Sequence, residues 1–228
     1  MSAIKLSSTS AGLLGLLSLR PWSSYELTAQ VRRSLKFVLP RAESALYAEQ
    51  RRLATAGLVT VDTETQGRRP RKVYTLAARG KQALHAWLRD PVAEPHIEIE
   101  PLLRLLFADL GTKDDLNSAL DTLEAWAHRH LAEGRAICAG YLEGEAPFPE
   151  RLHLSALFAD YYHGLYTHTL AWIDNARSEI ATWPSTNAVG LTPGTRSMLE
   201  RVVAGRPVIP SPGDDAQSQP RQPPAGAP

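Results

Sequence analysis

The apolar positions in the first part of the chain fall into helical segments that are followed by two strand-like runs. Leucines occupy nearly every side of a first segment that Ser10 can cap, and Arg20-Pro21 ends it. This pattern is typical of a helix packed centrally in a small domain. The next helix, capped by Ser23 or Ser24, has apolar residues at i, i+4 and i+8, namely Leu27, Val31 and Leu35. The two segments predict adjacent helices in one folded module.

A third amphipathic segment begins at Pro40, which the first turn of a helix tolerates, and ends at about Ala56, before Gly57. The side expected to face the core carries Ala42, Leu46, Glu49 and Leu53. The opposite side is small and cationic: Arg41, Ser44, Ala48, Arg51 and Thr55. Such a surface fits a DNA major groove about 12 Å wide, and Tyr47 on the flank could contact a phosphate oxygen. An ordinary solvated helix face is the alternative interpretation.

Two runs of alternating polarity, residues 58–64 and 71–76, predict a β-hairpin. Its tip, Thr65 to Pro70, and the start of the returning strand carry four cations within five residues: Arg68, Arg69, Arg71 and Lys72. Clustered like charges repel one another, and DNA phosphates or an electronegative minor groove would relieve that repulsion. A charged turn that serves only solubility is the alternative. A fourth helix, Ala77 to Arg89, closes the module before a linker at Pro91 to Pro95.

The charge distribution supports this interpretation once the chain is divided. The formal net charge is +1, but residues 1–92 carry 15 Lys and Arg against 6 Asp and Glu, whereas residues 93–228 carry 10 against 18. A basic module that precedes an acidic one is expected to face a polyanion. The order of helices and hairpin predicts a winged helix-turn-helix DNA-binding domain over residues 1–92.

The second half predicts an all-helical domain over residues 96–183. Pro101 begins a short helix, Thr112 caps a long helix that reaches about Leu142, and another long helix runs from about Glu150 to Ala181. Two long amphipathic helices joined by a short break cannot bury their apolar faces alone, so a dimerisation domain is expected. The predicted fold class is therefore mainly α with a small β-hairpin.

The last residues, 184–228, are dominated by Pro, Gly, Ser, Ala and Gln. This composition predicts a mostly disordered tail, with a short helix across Thr195 to Val203. A flexible tail without chemistry and a segment that docks on another chain are both open interpretations.

No arrangement of residues looks catalytic, so the chain is not expected to be an enzyme. It has no glycine-rich phosphate loop and no nucleophile elbow, and Cys138 lies within a helix without an evident activating base. The histidines of the second half show no i, i+4 pair, so neither a metal site nor a cofactor is expected. A single cysteine fits a reducing cytosol, and the apolar run near the N-terminus is too short for a bilayer, so a cytoplasmic protein without membrane contact is expected.

An aromatic set lies on the two long helices of the second half: Trp126, Tyr161, Tyr162, Tyr166 and Trp172. Packing in the core or at a dimer interface is the more common role of such residues. The other interpretation is a pocket for a small aromatic effector at the helical interface.

Six segments of the first 80 residues resemble the PadR family of bacterial transcriptional regulators in order and spacing. They are Leu14-Gly15-Leu16-Leu17, Ser24-Tyr25-Glu26-Leu27, Ala45-Leu46-Tyr47, Arg52-Leu53, Ala56-Gly57-Leu58-Val59 and the run from Pro70 to Gly80. The later half resembles the virulence-activator-type C-terminal domain of one PadR subgroup. The resemblance implies a dimeric winged-helix regulator with its third helix in the major groove and its wing on the flanking backbone. It also implies that Tyr47 contacts the DNA backbone.

The expected function is that of a sequence-specific transcriptional regulator, a repressor, that binds double-stranded DNA. It would act as a homodimer on an inverted-repeat operator with half-sites about one DNA turn apart. A response to a small aromatic effector is a further hypothesis, beside the packing role of the aromatic set. The competing hypothesis is a helical adaptor or co-regulator that uses the winged helix for protein contact. Salt dependence of binding separates the two, because only a DNA binder releases condensed counterions.

Overall fold

The computed structural model describes residues 5–66 and 69–207 of the chain. The chain divides into two compact units, Met1–Pro95 and His96–Pro228. The first unit contains, in order, α1 (Ser8–Leu17), β1 (Trp22–Ser23), α2 (Ser24–Ser34), α3 (Glu43–Thr55), β2 (Val59–Gln66), β3 (Arg69–Leu76) and α4 (Ala78–Trp87). This order of helices and short strands confirms the predicted mainly α fold class.

The core of the first unit lies where the apolar faces of α1, α2 and α3 meet. Its fully buried side chains include Leu13, Leu14, Leu27, Leu46 and Leu53. The cap of α1 is Ser7, whose hydroxyl accepts the backbone N–H of Ser10 at 3.1 Å, so the prediction of a cap at Ser10 was wrong. For α2, Ser23 is the cap, and its reciprocal hydrogen bonds with Glu26 form a capping box. These hydrogen bonds from Ser23 hold the pKa of the Glu26 carboxyl below its ordinary value.

A three-stranded antiparallel sheet in the order β1-β3-β2 completes the first unit. The hairpin of β2 and β3 was predicted, whereas β1 was not. β1 has only two residues, and Trp22 pairs with Tyr74 of β3. The Trp22 indole also donates a hydrogen bond to the carbonyl oxygen of Leu16 at 2.9 Å, which ties the sheet to α1.

The end of α3 is fixed by a glycine in the left-handed region. Gly57 has a φ of 65°, and its N–H bonds to the carbonyl of Ala54, while the N–H of Leu58 bonds to that of Leu53. These two bonds form a Schellman motif, in which a residue without Cβ adopts the left-handed conformation at little cost. The predicted termination at Gly57 is confirmed.

The second unit contains α5 (Glu100–Leu106), α6 (Lys113–Leu142), α7 (Leu152–Thr182) and α8 (Pro193–Val203). The bounds of α6 and α7 agree with the sequence-based ones within two residues. Thr112 caps α6 and shares a capping box with Asp115. α6 and α7 pack through a cluster of buried residues, Leu116, Leu120, Leu123, Ile173 and Ile180. Among the described residues, no helix is both long and apolar enough to cross a membrane.

Glu179 near the end of α7 holds the beginning of α8. Its Oε1 accepts hydrogen bonds from the Trp183 indole at 3.0 Å, from the Thr195 hydroxyl at 3.2 Å and from the hydroxyl of Thr192. These hydrogen bonds lower the pKa of the Glu179 carboxyl, and the bond from Thr192 has the largest effect. The predicted helix near Thr195 to Val203 is thus present as α8, and the rest of the predicted disordered tail, from residue 208, lies outside the described residues.

Candidate nucleic-acid interface

The exposed face of α3 presents the small and cationic residues that the sequence placed there. Ser44, Ala48, Arg51 and Thr55 are all exposed, while Leu46 and Leu53 are completely buried on the opposite side. Tyr47 is half-buried on the flank between the two faces. The guanidinium of Arg51 and the hydroxyl of Ser44 are therefore accessible to a ligand that approaches this face.

Arg41 does not lie on α3, because the helix begins at Glu43 and not at Pro40. Ala42 takes an extended conformation at the N-cap position. Arg41 is exposed in the preceding segment, and its Nε donates to the Thr9 hydroxyl at 3.3 Å. Arg41 therefore stands beside the start of α3 and not on its exposed face.

A polar network joins α1 to α3 at the edge of the core. The sequence placed Glu49 on the core side of α3, but Glu49 is only half-buried and is bound by polar groups. Arg52 donates to Glu49 at 2.8 Å through Nε and to the hydroxyl of buried Ser10 at 2.6 Å through Nη2, and Ser10 donates to Glu49. The hydrogen bond from Arg52 lowers the pKa of the Glu49 carboxyl, against the opposing effect of burial, and the bond from Ser10 adds to the lowering.

Gln50 is the polar side chain of α3 that enters the core, and the sequence did not reveal it. It is completely buried. Its Oε1 accepts a hydrogen bond from the Ser24 hydroxyl at 2.5 Å, and its Nε2 donates to the Thr28 hydroxyl at 2.9 Å and to the Ser24 carbonyl at 3.3 Å. The amide is thus satisfied on both sides and fixes α3 against the first turns of α2. A glutamine between apolar positions looks like a boundary residue in the sequence, which is why it was missed.

The hairpin forms a wing in which one of the predicted cations is paired with a carboxylate of the hairpin itself. Glu64 faces Arg71 across the two strands, and the Arg71 Nη2 lies 3.0 Å from the Glu64 Oε2. This ion pair corrects the expectation that all four cations of the wing depend on an external partner. Lys72, opposite Thr63, is exposed.

The two strands of the wing extend further into the predicted turn, Thr65 to Pro70, than the sequence indicated. Thr65 pairs with Pro70, and Gln66 pairs with Arg69, so these residues belong to β2 and β3 and not to a turn. The expected contact residue Arg68 lies outside the described residues, and only the backbone of Arg69 is described.

Four of the five predicted effector-pocket residues belong to one aromatic cluster in the second unit. The Trp126 ring lies 4.9 Å from that of Tyr166, and Tyr162 lies 5.9 Å from Tyr166 and 5.3 Å from Tyr161. Two further rings, which were not predicted from the sequence, also belong to the cluster: His130, stacked on Tyr166, and Phe158, beside Tyr162. Burial raises the pKa of the Tyr166 hydroxyl to about 12, and Tyr162 and Glu133 add to the increase.

Trp172 does not show a ring contact with this cluster in the described part of the chain. It packs instead against the apolar core formed by Leu120, Ile173 and their neighbours. Trp126 is shared by the two groups. Within residues 5–66 and 69–207, no three His, Cys, Asp or Glu side chains come close enough together to hold a metal ion.

The three-helix core, the exposed face of α3 and the two-stranded wing define a winged helix-turn-helix. Comparison with known proteins agrees. Residues 13–86 match the transcriptional regulator PadR-like family. Residues 13–86 of the first unit are thus similar to a family of transcriptional regulators, which is the family that the sequence resembles.

One characterised relative is the negative transcriptional regulator PadR of Bacillus subtilis (strain 168), which is 34% identical over 98 residues. That match covers 42% of this chain and 53% of the relative, so the chain spans about half the length of the curated protein that it matches.

Solved structures extend the likeness of fold into the second unit. Bacillus subtilis PadR in complex with operator DNA has a TM-score of 0.66 and 21% identity, over 76% of this chain and 99% of that one. The same protein in complex with p-coumaric acid has a TM-score of 0.61 at 21% identity, over 75% and 98%. The Vibrio cholerae virulence activator AphA has a TM-score of 0.62 at 21% identity, over 76% and 98%. At this level of identity the likeness concerns the fold.

Proposed function

We propose that this chain is a sequence-specific, DNA-binding transcriptional repressor that acts as a homodimer on an inverted-repeat operator and responds to a small aromatic effector. The observation that carries the proposal is the exposed face of α3, with Ser44 and Arg51 on it, in a PadR-like domain. The groove-reading helix of such domains offers small and cationic groups to base edges. The DNA-bound and regulatory relatives support the same assignment.

DNA binding is tested first by Arg51→Ala. The Arg51 side chain is exposed, so its removal should leave the fold intact while lowering affinity for the operator by about 1–3 kcal/mol. The measurement is fluorescence anisotropy with a duplex from the region upstream of the protein's own gene and with a scrambled duplex. Arg129→Ala, which removes an exposed arginine from α6 of the second unit, is the matched control and should bind as the wild type does. Equal affinity of the wild type for both duplexes would contradict sequence-specific recognition.

The same titrations separate the repressor from a protein-binding adaptor. A dimer that neutralises roughly six to eight phosphates loses affinity with a log-log salt slope near −5 to −7. A reporter gene behind the bound region should be expressed more strongly with Arg51→Ala than with the wild type, because the variant no longer represses. Binding that ignores salt would favour the adaptor, and lower expression with Arg51→Ala would identify an activator.

Homodimer formation through α7 accounts for an apolar stripe on that helix. Leu154, Leu157, Tyr161 and Leu165 are exposed at helical spacing, and Leu157 is 71% exposed. Leu157→Asp is therefore expected to shift the protein from dimer to monomer in sedimentation velocity at micromolar concentration, because a charge would replace a buried interface contact. His163→Asp, at an exposed polar position on another side of α7, should remain dimeric. A wild type that sediments as a monomer would remove the dimer from the proposal.

Effector binding is assigned to the aromatic cluster of α6 and α7. Tyr166, Trp126 and His130 bring ring faces and edges together at centroid distances of 4.9 to 5.4 Å, an arrangement that suits a planar aromatic molecule. Titration with a panel of hydroxylated aromatic acids should give saturable quenching of tryptophan fluorescence. Trp126→Phe should abolish most of that response, whereas Trp87→Phe in the first unit should retain it. A flat response to every compound would leave packing as the role of these rings.

A further inference from the structure

A cleft of about 530 Å³ opens in the first unit between the C-terminal half of α2 and the segment that leads into α3. Its apolar base includes Val31 and Leu39, which are both buried. Four cationic residues line it, from two separate parts of the chain: Arg32, Arg33, Lys36 and Arg41. The cleft thus combines buried apolar side chains with four cationic side chains.

The arginines of the cleft differ in whether a carboxylate pairs with them. Glu43 forms an ion pair with Arg32. Among the described residues, no carboxylate forms an ion pair with Arg33 or Arg41, and the Arg41 guanidinium donates to the neutral oxygens of Thr9 and Pro40. Lys36 is half-buried, with its ammonium 5.3 Å from the centroid of the Phe37 ring. Arg33 and Arg41 therefore give the wall of the cleft an excess of positive charge.

The dipole of α2 explains the cations at the end of that helix, but it does not explain why cations from two segments line the same cleft. Arg32 and Arg33 lie in the last turn of α2, where a positive charge stabilises the negative end of the helix dipole. Arg41 gains nothing from that dipole, because it comes from the segment before α3. Like charges from two segments that face one cleft repel each other, and an anion between them would relieve the repulsion.

We propose that this cleft binds a phosphate of the DNA backbone beside the groove that α3 enters, with Arg33, Lys36 and Arg41 as its cations. The proposal rests on the DNA-binding function proposed above. In helix-turn-helix proteins the helix before the recognition helix crosses the DNA backbone, and the cleft here lies between α2 and the start of α3. Such a contact adds affinity and fixes the register of the domain on the duplex, but it does not read bases.

The test is a pair of double variants that remove the same charge from the first unit. Arg33→Gln with Lys36→Gln removes two cations from the cleft, and Lys81→Gln with Arg89→Gln removes two exposed cations from α4 and the residues just after it. Affinity of the full chain for the upstream and scrambled duplexes is measured over a range of KCl concentrations. The cleft variant should bind both duplexes roughly tenfold more weakly, and its salt slope should shrink by roughly 0.9 for each phosphate that the protein no longer neutralises. The α4 variant should keep a slope close to that of the wild type.

A second cleft variant separates charge from structure. Arg33→Lys with Lys36→Arg keeps both charges, so it should retain most of the affinity and the slope. The proposal would be overturned if this charge-preserving variant lost as much affinity as the glutamine variant of the cleft. It would also be overturned if the glutamine variants of the cleft and of α4 had equal salt slopes while Arg51→Ala still weakened binding. A wild type that binds neither duplex would overturn the DNA-binding function itself, and the phosphate site with it.

Discussion

Replacing Gly80 by alanine is expected to lower the free energy of unfolding of the first unit by about 3 kcal/mol. Gly80 is buried in α4, and a Cβ there would overlap the carbonyl oxygen of Leu58 and stand 2.8 Å from the Leu76 Cδ1. The Leu58 carbonyl cannot turn aside freely, because it accepts the backbone N–H of Ala77 at 3.1 Å. Leu58 also belongs to the motif that ends α3, so the strain would reach the end of that helix.

The control for this variant is Gly15→Ala, which adds the same methyl group at a helical position with nothing within 4 Å of the new Cβ. It should stabilise the chain by up to about 1 kcal/mol, because alanine favours the helix over glycine. Both free energies are measured by urea unfolding monitored by circular dichroism. The slope m of each variant is compared with that of the wild type, because a different m indicates a changed denatured state. Stability of Gly80→Ala within about 0.5 kcal/mol of the wild type would contradict the expected steric clash and show that α4 moves away from Leu58 at little cost.

Periodicity predicted the long elements well because their apolar stripes are long. The bounds of α6 and α7 and the end of α3 at Gly57 were all available from spacing and from one conformationally special residue. β1 was not, because two residues carry no alternation and its pairing partner, β3, lies about fifty residues away in the chain. The start of α3 was placed too early, since Pro40 suits a first helical turn but Ala42, directly before the helix, is extended.

The candidate interface was predictable only where it depends on one helix. Exposure of Ser44 and Arg51 follows from helical geometry once Leu46 and Leu53 are assigned to the core. The cationic cleft depends on how α2 meets the segment before α3, and the pairing of Arg71 with Glu64 depends on the register of the hairpin. Such relations between separate segments are set by tertiary packing, which one-dimensional patterns do not contain.

Replacing Gln50 by alanine is expected to lower the free energy of unfolding by about 2–4 kcal/mol. The change would leave a cavity between α2 and α3 and remove three hydrogen bonds with Ser24 and Thr28. Because this amide sets the position of α3, the helix proposed to enter the DNA groove, affinity for operator DNA should fall as well, although Gln50 is completely buried. Urea unfolding gives the stability, and anisotropy below the unfolding transition gives the affinity. Normal stability would mean that the hydroxyls of Ser24 and Thr28 find other partners when the amide is removed.

Gln50→Glu is expected to lower the free energy of unfolding by an amount that depends on pH. This dependence distinguishes the cost of burying a carboxylate from the loss of packing in Gln50→Ala. The carboxyl would lie in a completely buried site whose hydrogen-bond partners carry no positive charge, so burial would raise its folded-state pKa. Below the unfolded-state pKa of about 4.3 both states are protonated, and ionisation adds no penalty. As the pH rises above that value the unfolded state ionises first, so the stability of Gln50→Glu relative to the wild type falls until the raised folded-state pKa is reached. Unfolding measured from about pH 4 to pH 8 should therefore show a difference that widens with pH for Gln50→Glu and stays constant for Gln50→Ala, and a constant difference for both would show that the glutamate reaches solvent.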